Sequence, residues 1–200
     1  MPTALSLDRR LAEMGADLDL LRWIRVHHDL PSAWAACPRG DWLLWIAAIL
    51  ARRPEEQRAV VLAAAACARL ALPYAIRQVP GPETAIEAAE GWGRSLASGG
   101  VVDAAAKGAA FTVMASLRDE RAWAAASAAW ASAWAAVWFA YQDGHSVGAA
   151  QAARQAAEAS AEAHGAAATA VLARCADIVR AGVACPTMPA ATATAGDAAS

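Results

Sequence analysis

Lysine is nearly absent from this 200-residue chain: 16 of its 17 basic residues are Arg, and the other is Lys107. Set against 19 acidic residues they leave a formal charge of -2. No segment forms the concentrated basic face that phosphate binding requires, so no nucleic-acid partner is expected. Sustained period-two alternation is missing too. The β-branched residues come singly or in pairs such as Val60-Val61 and Val101-Val102, which argues against strands. Cysteine is sparse and scattered: Cys37, Cys67, Cys175 and Cys185 form no CxxC and have no His at zinc spacing, so they read as reduced thiols. Residues 1–25 are studded with charge, so no secretory leader is expected and the cytoplasm is the expected compartment.

Signatures of catalysis are missing as well. There is no nucleophile elbow, and the Gly-rich stretches lack a P-loop Lys-Ser/Thr and a preceding strand. His27 and His28 are adjacent, so on a helix they point about 100° apart, whereas a chelating pair stands at i, i+4. His145 and His164 have no His or carboxylate at that step. The sequence therefore predicts neither an enzyme nor a metal or cofactor site.

Alanine is what the chain has in excess, 61 of 200 residues. It is the strongest helix former, and its small side chain lets helices approach closely. The expected fold is all-α: a single-domain array of about seven to eight Ala/Trp-rich helices with no sheet, spanning 1–182, followed by a disordered tail over 183–200 of Pro, Thr, Ala and Gly.

The densest signal is Cys37-Pro-Arg-Gly-Asp-Trp-Leu-Leu-Trp45. Pro38-Arg39-Gly40 reads as a turn and Asp41 as the N-cap of a helix starting at Trp42. Trp42, Trp45, Ile46 and Ile49 fall on one stripe, widened by Leu43, Leu44 and Leu50, until Arg52-Arg53-Pro54 ends the run. A capping Asp followed by core tryptophans also disposes of Arg39-Gly40-Asp41 as an adhesion signal.

Elsewhere, Ser6 and Asp17 are candidate caps of an N-terminal hairpin carrying Leu7, Leu11 and Met14, then Leu20, Leu21, Trp23 and Ile24. Pro54 opens a helix with Val60, Val61, Ala64 and Cys67 inside. Pro82 opens another with Ala85, Ala88, Ala89, Trp92 and Leu96 inward and Glu83, Glu87, Glu90 and Arg94 outward, closed by Gly99-Gly100. A helix with Phe111, Met114 and Leu117 follows. Residues 122–142 are 21 residues without a formal charge, long enough to span a bilayer. However, they are mostly Ala with internal Trp and no Leu or Ile, so no membrane span is expected. Trp123, Trp130, Trp134, Trp138 and Tyr141 form one stripe opposite Ala and Ser, the pattern of a central core helix. After a turn at Asp143-Gly144, Ser146 caps a last helical region with Val171, Leu172, Cys175, Ile178 and Val179, which Gly165 can split.

Three segments together resemble one bacterial family: Ala36-Cys37-Pro38-Arg39-Gly40-Asp41-Trp42-Leu43-Leu44-Trp45, Ala85-Ile86-Glu87-Ala88-Ala89-Glu90-Gly91-Trp92, and Cys175-Ala176-Asp177-Ile178-Val179-Arg180. The chain is similar to the Imm-5-like immunity proteins of polymorphic toxin systems, over about 37–180. The resemblance implies an all-helical protein that neutralises a cognate toxin by stoichiometric binding, without catalytic residues. Its shared residues, Arg39, Asp41, Trp42, Trp45, Trp92, Cys175, Asp177 and Arg180, read as structural.

Opposite charges beside two apolar stripes predict that Arg39 or Asp41 meets Asp177 or Arg180. The acidic row Glu83, Glu87 and Glu90 is the candidate partner contact, because residues 83–120 carry six acidic and three basic residues. The alternative function is a helical scaffold or small-ligand carrier with a Trp-lined interior. The oligomeric state is left open.

Overall fold

The computed structural model describes residues 6–76, 81–141 and 147–188. Among them there are ten α-helices and no strand: α1 (Leu7–Glu13), α2 (Leu18–Ile24), α3 (Leu30–Ala36), α4 (Gly40–Leu50), α5 (Pro54–Arg69), α6 (Gly81–Gly93), α7 (Gly99–Ala115), α8 (Glu120–Tyr141), α9 (Val147–Ala163) and α10 (Ala168–Gly182). Short 3-10 turns at Leu72–Tyr74 and Gly165–Ala167 link α5 onward and α9 to α10.

The count exceeds seven to eight for identifiable reasons. Pro31 opens a helix of its own. It sits in the first turn of α3, where its missing N–H costs nothing, and the Asp29 carboxylate caps that helix by accepting from the Ser32 amide at 2.8 Å. Gly165 takes φ +56° and breaks the last region into α9 and α10. Gly99-Gly100 opens α7 instead of closing α6, which ends at Gly93 with Ser95 at φ 62°. Leu96, placed inward by its spacing, consequently lies outside α6 and is 81 % exposed.

Caps divide the same way. Asp17 accepts from the Asp19 and Leu20 amides and does cap α2, whereas Ser6 makes no cap bond and donates its hydroxyl to Asp8. At the start of α5 the Glu56 carboxylate reaches back and accepts from the Arg52 and Arg53 amides at 2.8 and 3.0 Å. The Ser146 cap, the Asp143-Gly144 turn and Pro80 lie outside the described residues.

α8 is the central helix, packed by α5, α6, α7 and α9, and α4 closes the other side against α9, α10 and α5. The buried side of α8 is its Ala/Ser side: Ala128, Ala129, Ala131, Ser132, Ala135 and Ala136 are all inaccessible. The tryptophan stripe lies toward the rim, with Trp130, Trp134 and Trp138 half-buried, Trp123 37 % exposed and Tyr141 62 % exposed. This reverses the expected orientation. Helices whose contact faces are Ala can approach to the short end of the usual 8–10 Å range, and a bulky indole between them would hold them apart. α7 obeys the same rule, with Val102, Ala106 and Ala109 buried while Phe111 and Met114 face out; the helix ends at Ala115, so Leu117 falls in the exposed turn after it. No helix among the described residues is long and apolar enough to cross a membrane.

Beyond α10, residues 183–188 continue in contact with the body. The Val183 amide donates to the Val179 carbonyl and its side chain is buried, and Cys185 and Met188 pack against the core. These residues correct the expectation of nothing to bury from Val183 on. Residues 189–200 lie outside the described residues.

Candidate functional site

Two regions gather the residues that the sequence singles out: a junction around the start of α4, and an edge made by α6 and α7.

At the junction the backbone comes first. Gly40 is the first residue of α4, and a Cβ there would strike Cys175 on α10 and come within 2.6 Å of the Ala176 backbone nitrogen, so only glycine fits. This contact brings the first and third family-like segments together. A guanidinium seals it: Arg180 Nη1 donates to the Cys37 carbonyl at 2.6 Å and Nη2 to Asp177 at 2.7 Å. The expected ion pair between Arg39 or Asp41 and Asp177 or Arg180 does not form among the described residues, because each charge finds its partner nearer in sequence. Burial pushes the Cys37 thiol up to about 11, with Asp41 adding to the rise against the Arg39 amide.

Asp41 is the other correction. It does not cap α4; Arg39 occupies the cap position, without a side-chain cap bond, and Asp41 sits inside the first turn, where a carboxylate complements the helix dipole. Its carboxylate is completely buried and held by Arg39 in a fork, Nε to Oδ1 at 3.0 Å and Nη2 to Oδ2 at 2.6 Å. The Arg39 guanidinium lies 4.4 Å over the Trp42 ring, which meets Trp23 of α2 at 5.8 Å. Sequence reasoning missed Arg154 of α9. Its guanidinium is only 18 % exposed and bridges Asp17 and Glu158, with Asp41 at 4.0 Å. An Arg four residues before Glu158 in an otherwise Ala-rich helix was the available signal. Burial raises the Glu158 carboxyl above its ordinary value despite Arg154. Burial acts on Asp17 in the same direction, but the Leu20 amide and Arg154 prevail and hold it low.

An open cleft of about 650 Å³ lies over this cluster, lined by Asp17, Asp19, Arg22, Arg39, Trp42 and Arg154. Its charges neutralise one another pairwise. Trp45 is 2 % exposed in the core beneath. His27 packs against Trp23 with ring centres 4.3 Å apart and planes tilted by 44°.

The edge is built differently. Gly93 at the end of α6 lets α5 approach, since a Cβ would come within 2.6 Å of Leu62 and 3.3 Å of the Arg58 carbonyl. Trp92 is half-buried and stacks on Phe139 of α8 at 6.4 Å. The acidic row does not act as one set. Glu90 is anchored: Arg69 of α5 donates to it at 2.5 and 3.1 Å and Arg94 at 3.3 Å. Arg69 is the first cause holding its carboxyl below the ordinary range. Glu83 and Glu87 are exposed and, among the described residues, carry no ion pair. The first turn of α6 lies on the middle of α7, where Gly81 meets Thr112, Gly108 and Ala109. The two carboxylates thus share an edge with Phe111, 78 % exposed, and Met114, 65 % exposed.

A third feature is a groove of about 390 Å³ between α8 and α9, lined by Trp130, Trp134, Trp138, Gly148, Gln151 and Gln155.

No family model, curated protein or solved structure matches the chain.

Proposed function

We propose that this protein is a stoichiometric binder of a cognate bacterial toxin, an immunity-type protein that acts by contact and not by catalysis. The observation that carries the reading is the Glu83/Glu87 pair. Like charges at i, i+4 on a helix repel, and among the described residues neither forms an ion pair: the Arg69 charge that both feel is already bonded to Glu90, while most other carboxylates pair with Arg or cap a helix. A partner with a basic face would supply the missing counter-charge, and complementary fields speed encounter. The resemblance over 37–180 points to the same class of activity. Glu90 drops out of the contact set because Arg69 and Arg94 already occupy it.

The test is co-expression with growth-arresting proteins encoded beside this chain's gene. Protection of the cells, with a one-to-one complex on purification, supports the reading. Absence of both for every such protein overturns it.

A second reading, a carrier of small apolar ligands, is favoured by the uncharged tryptophan groove on α8 and α9. The expected interior pocket is replaced in this reading by an open surface groove. Native mass spectrometry of freshly purified protein checks it by showing a retained ligand.

A further inference from the structure

Among the described residues, the main packing of α7 is inward, on α6 and α8. What it shows to solvent is apolar and of uneven relief. Phe111, Met114 and Val101 are 78 %, 65 % and 53 % exposed, and Leu96 just ahead of the helix is 81 % exposed. Between them stand small exposed residues, Gly100, Ala104 and Gly108. Gly108 is the informative one. A glycine inside a helix costs about 1 kcal/mol against Ala, yet a Cβ at this position would meet nothing within 4 Å. Nothing among the described residues fills that space.

The only charges on this face are Asp103 and Lys107, one turn apart and joined at 2.6 Å, so the face is neutral as a whole. Neutrality does not suit the basic partner that Glu83 and Glu87 would attract, but it leaves nothing to repel an identical surface. We infer that the outer face of α7 binds a second copy of this chain, helix against antiparallel helix about a two-fold axis near Ala105. In that register residue i lies opposite residue 210 − i, which is simple numbering on two antiparallel helices. Lys107 then stands opposite Asp103 of the second copy, and Asp103 opposite its Lys107, giving two symmetric ion pairs. Phe111 falls level with Gly99 and Gly100 of the second copy, where that copy's exposed Tyr141 ring lies alongside, and Met114 falls on its Leu96. A two-fold contact must be self-complementary in this sense. Ring against ring and acid against base both satisfy it, and nothing among the described residues stands within 4 Å of a Cβ at Gly108 to keep the second helix away.

The experiment is sedimentation velocity over a wide concentration range on the full chain and three variants. Wild type should sediment as a species of twice 20.6 kDa that dissociates on dilution. Phe111→Arg should be monomeric at every concentration, with a melting curve that matches wild type at dilutions where both are monomeric, since the side chain is outside the core. Asp103→Lys leaves two cations facing two cations, and Lys107→Asp leaves two anions facing two anions, so each alone should be monomeric or at least tenfold weaker. Mixing those two variants should restore the dimer, because only the mixed pair places opposite charges face to face. A monomeric wild type, a dimer indifferent to Phe111→Arg, or a mixture no more associated than its components overturns the proposal.

Discussion

Two glycines, Gly40 and Gly108, summarise the contrast between the junction and the edge. The space beside Gly40 is filled by Cys175 and Ala176, whereas no described residue comes within 4 Å of a Cβ at Gly108. Charges follow the same division. At the junction Asp41 is buried inside a fork from Arg39 and Arg154 ties Asp17 to Glu158, while at the edge Glu83 and Glu87 form no direct ion pair among the described residues and feel Arg69 only past its bond to Glu90. A region whose charges are paired within the chain holds the fold, even though the buried Trp42 Nε1 finds no hydrogen-bond partner there among the described residues. A region that leaves charges unpaired is where a partner can pair them.

The largest test of this contrast is a matched pair of glycine substitutions. Gly40→Ala forces a Cβ into the α10 backbone and should prevent folding or cost at least about 3 kcal/mol. Gly108→Ala should raise the stability of the monomer, measured at low concentration, by about 1 kcal/mol. Denaturant melts of both decide it, and equal effects would erase the distinction. Next in size, Trp45→Ala, at a position 2 % exposed, should lose about 3 to 5 kcal/mol as a core aromatic. A loss below about 1 kcal/mol would remove Trp45 from the load of the core.

Much of the junction was legible in the sequence, because its residue types leave few options. Trp, Leu and Ile on one stripe after a Pro-Arg-Gly turn had to be buried, and Cys37, Trp42, Trp45 and Cys175 are. The use of Asp41 was not legible. A carboxylate near a helix start can cap it or pair with a cation, and only the burial against α9 and α10 selects Arg39 as its partner. The edge was misread for a more general reason. In an Ala-rich helix the residues with the most apolar area do not mark the core face, because Ala against Ala packs closest, so Phe111, Met114 and the α8 tryptophans turned outward. The separation of Glu90 from Glu83 and Glu87 depended on Arg69, twenty-one residues away in the chain.

A pH series sharpens the comparison at about 1 kcal/mol. Arg69 lowers the Glu90 carboxyl, so its folded value lies below its unfolded one. The pair therefore contributes above the ordinary value near 4.5, and the contribution is lost as pH falls through the folded value. Glu90→Gln should cost about 1 kcal/mol near neutrality and progressively less in acid. Glu158 carries the opposite sign: burial raises it, so protonation favours the folded state, and that gain disappears as pH rises through the raised value. Glu158→Gln should remove this slope. Urea midpoints across the acid range measure both.

The smallest expected effect on stability belongs to Glu87→Lys. It converts a like-charge i, i+4 pair into a Glu-to-Lys pair of the favourable order and should stabilise the chain by about 0.2 to 0.5 kcal/mol. A thermal melt lower than wild type would show that Glu87 already has a stabilising contact.

The division of labour is tested most directly by measuring toxin binding by the Glu83→Lys/Glu87→Lys double variant, with Glu162→Lys as an exposed acidic control on α9. With a neighbouring toxin identified by protection and complex formation, the association rate should fall at least tenfold for the double variant and stay unchanged for the control, while both keep wild-type melts. An unchanged rate for the double variant, or an equal fall for Glu162→Lys, would contradict the assignment of recognition to this edge.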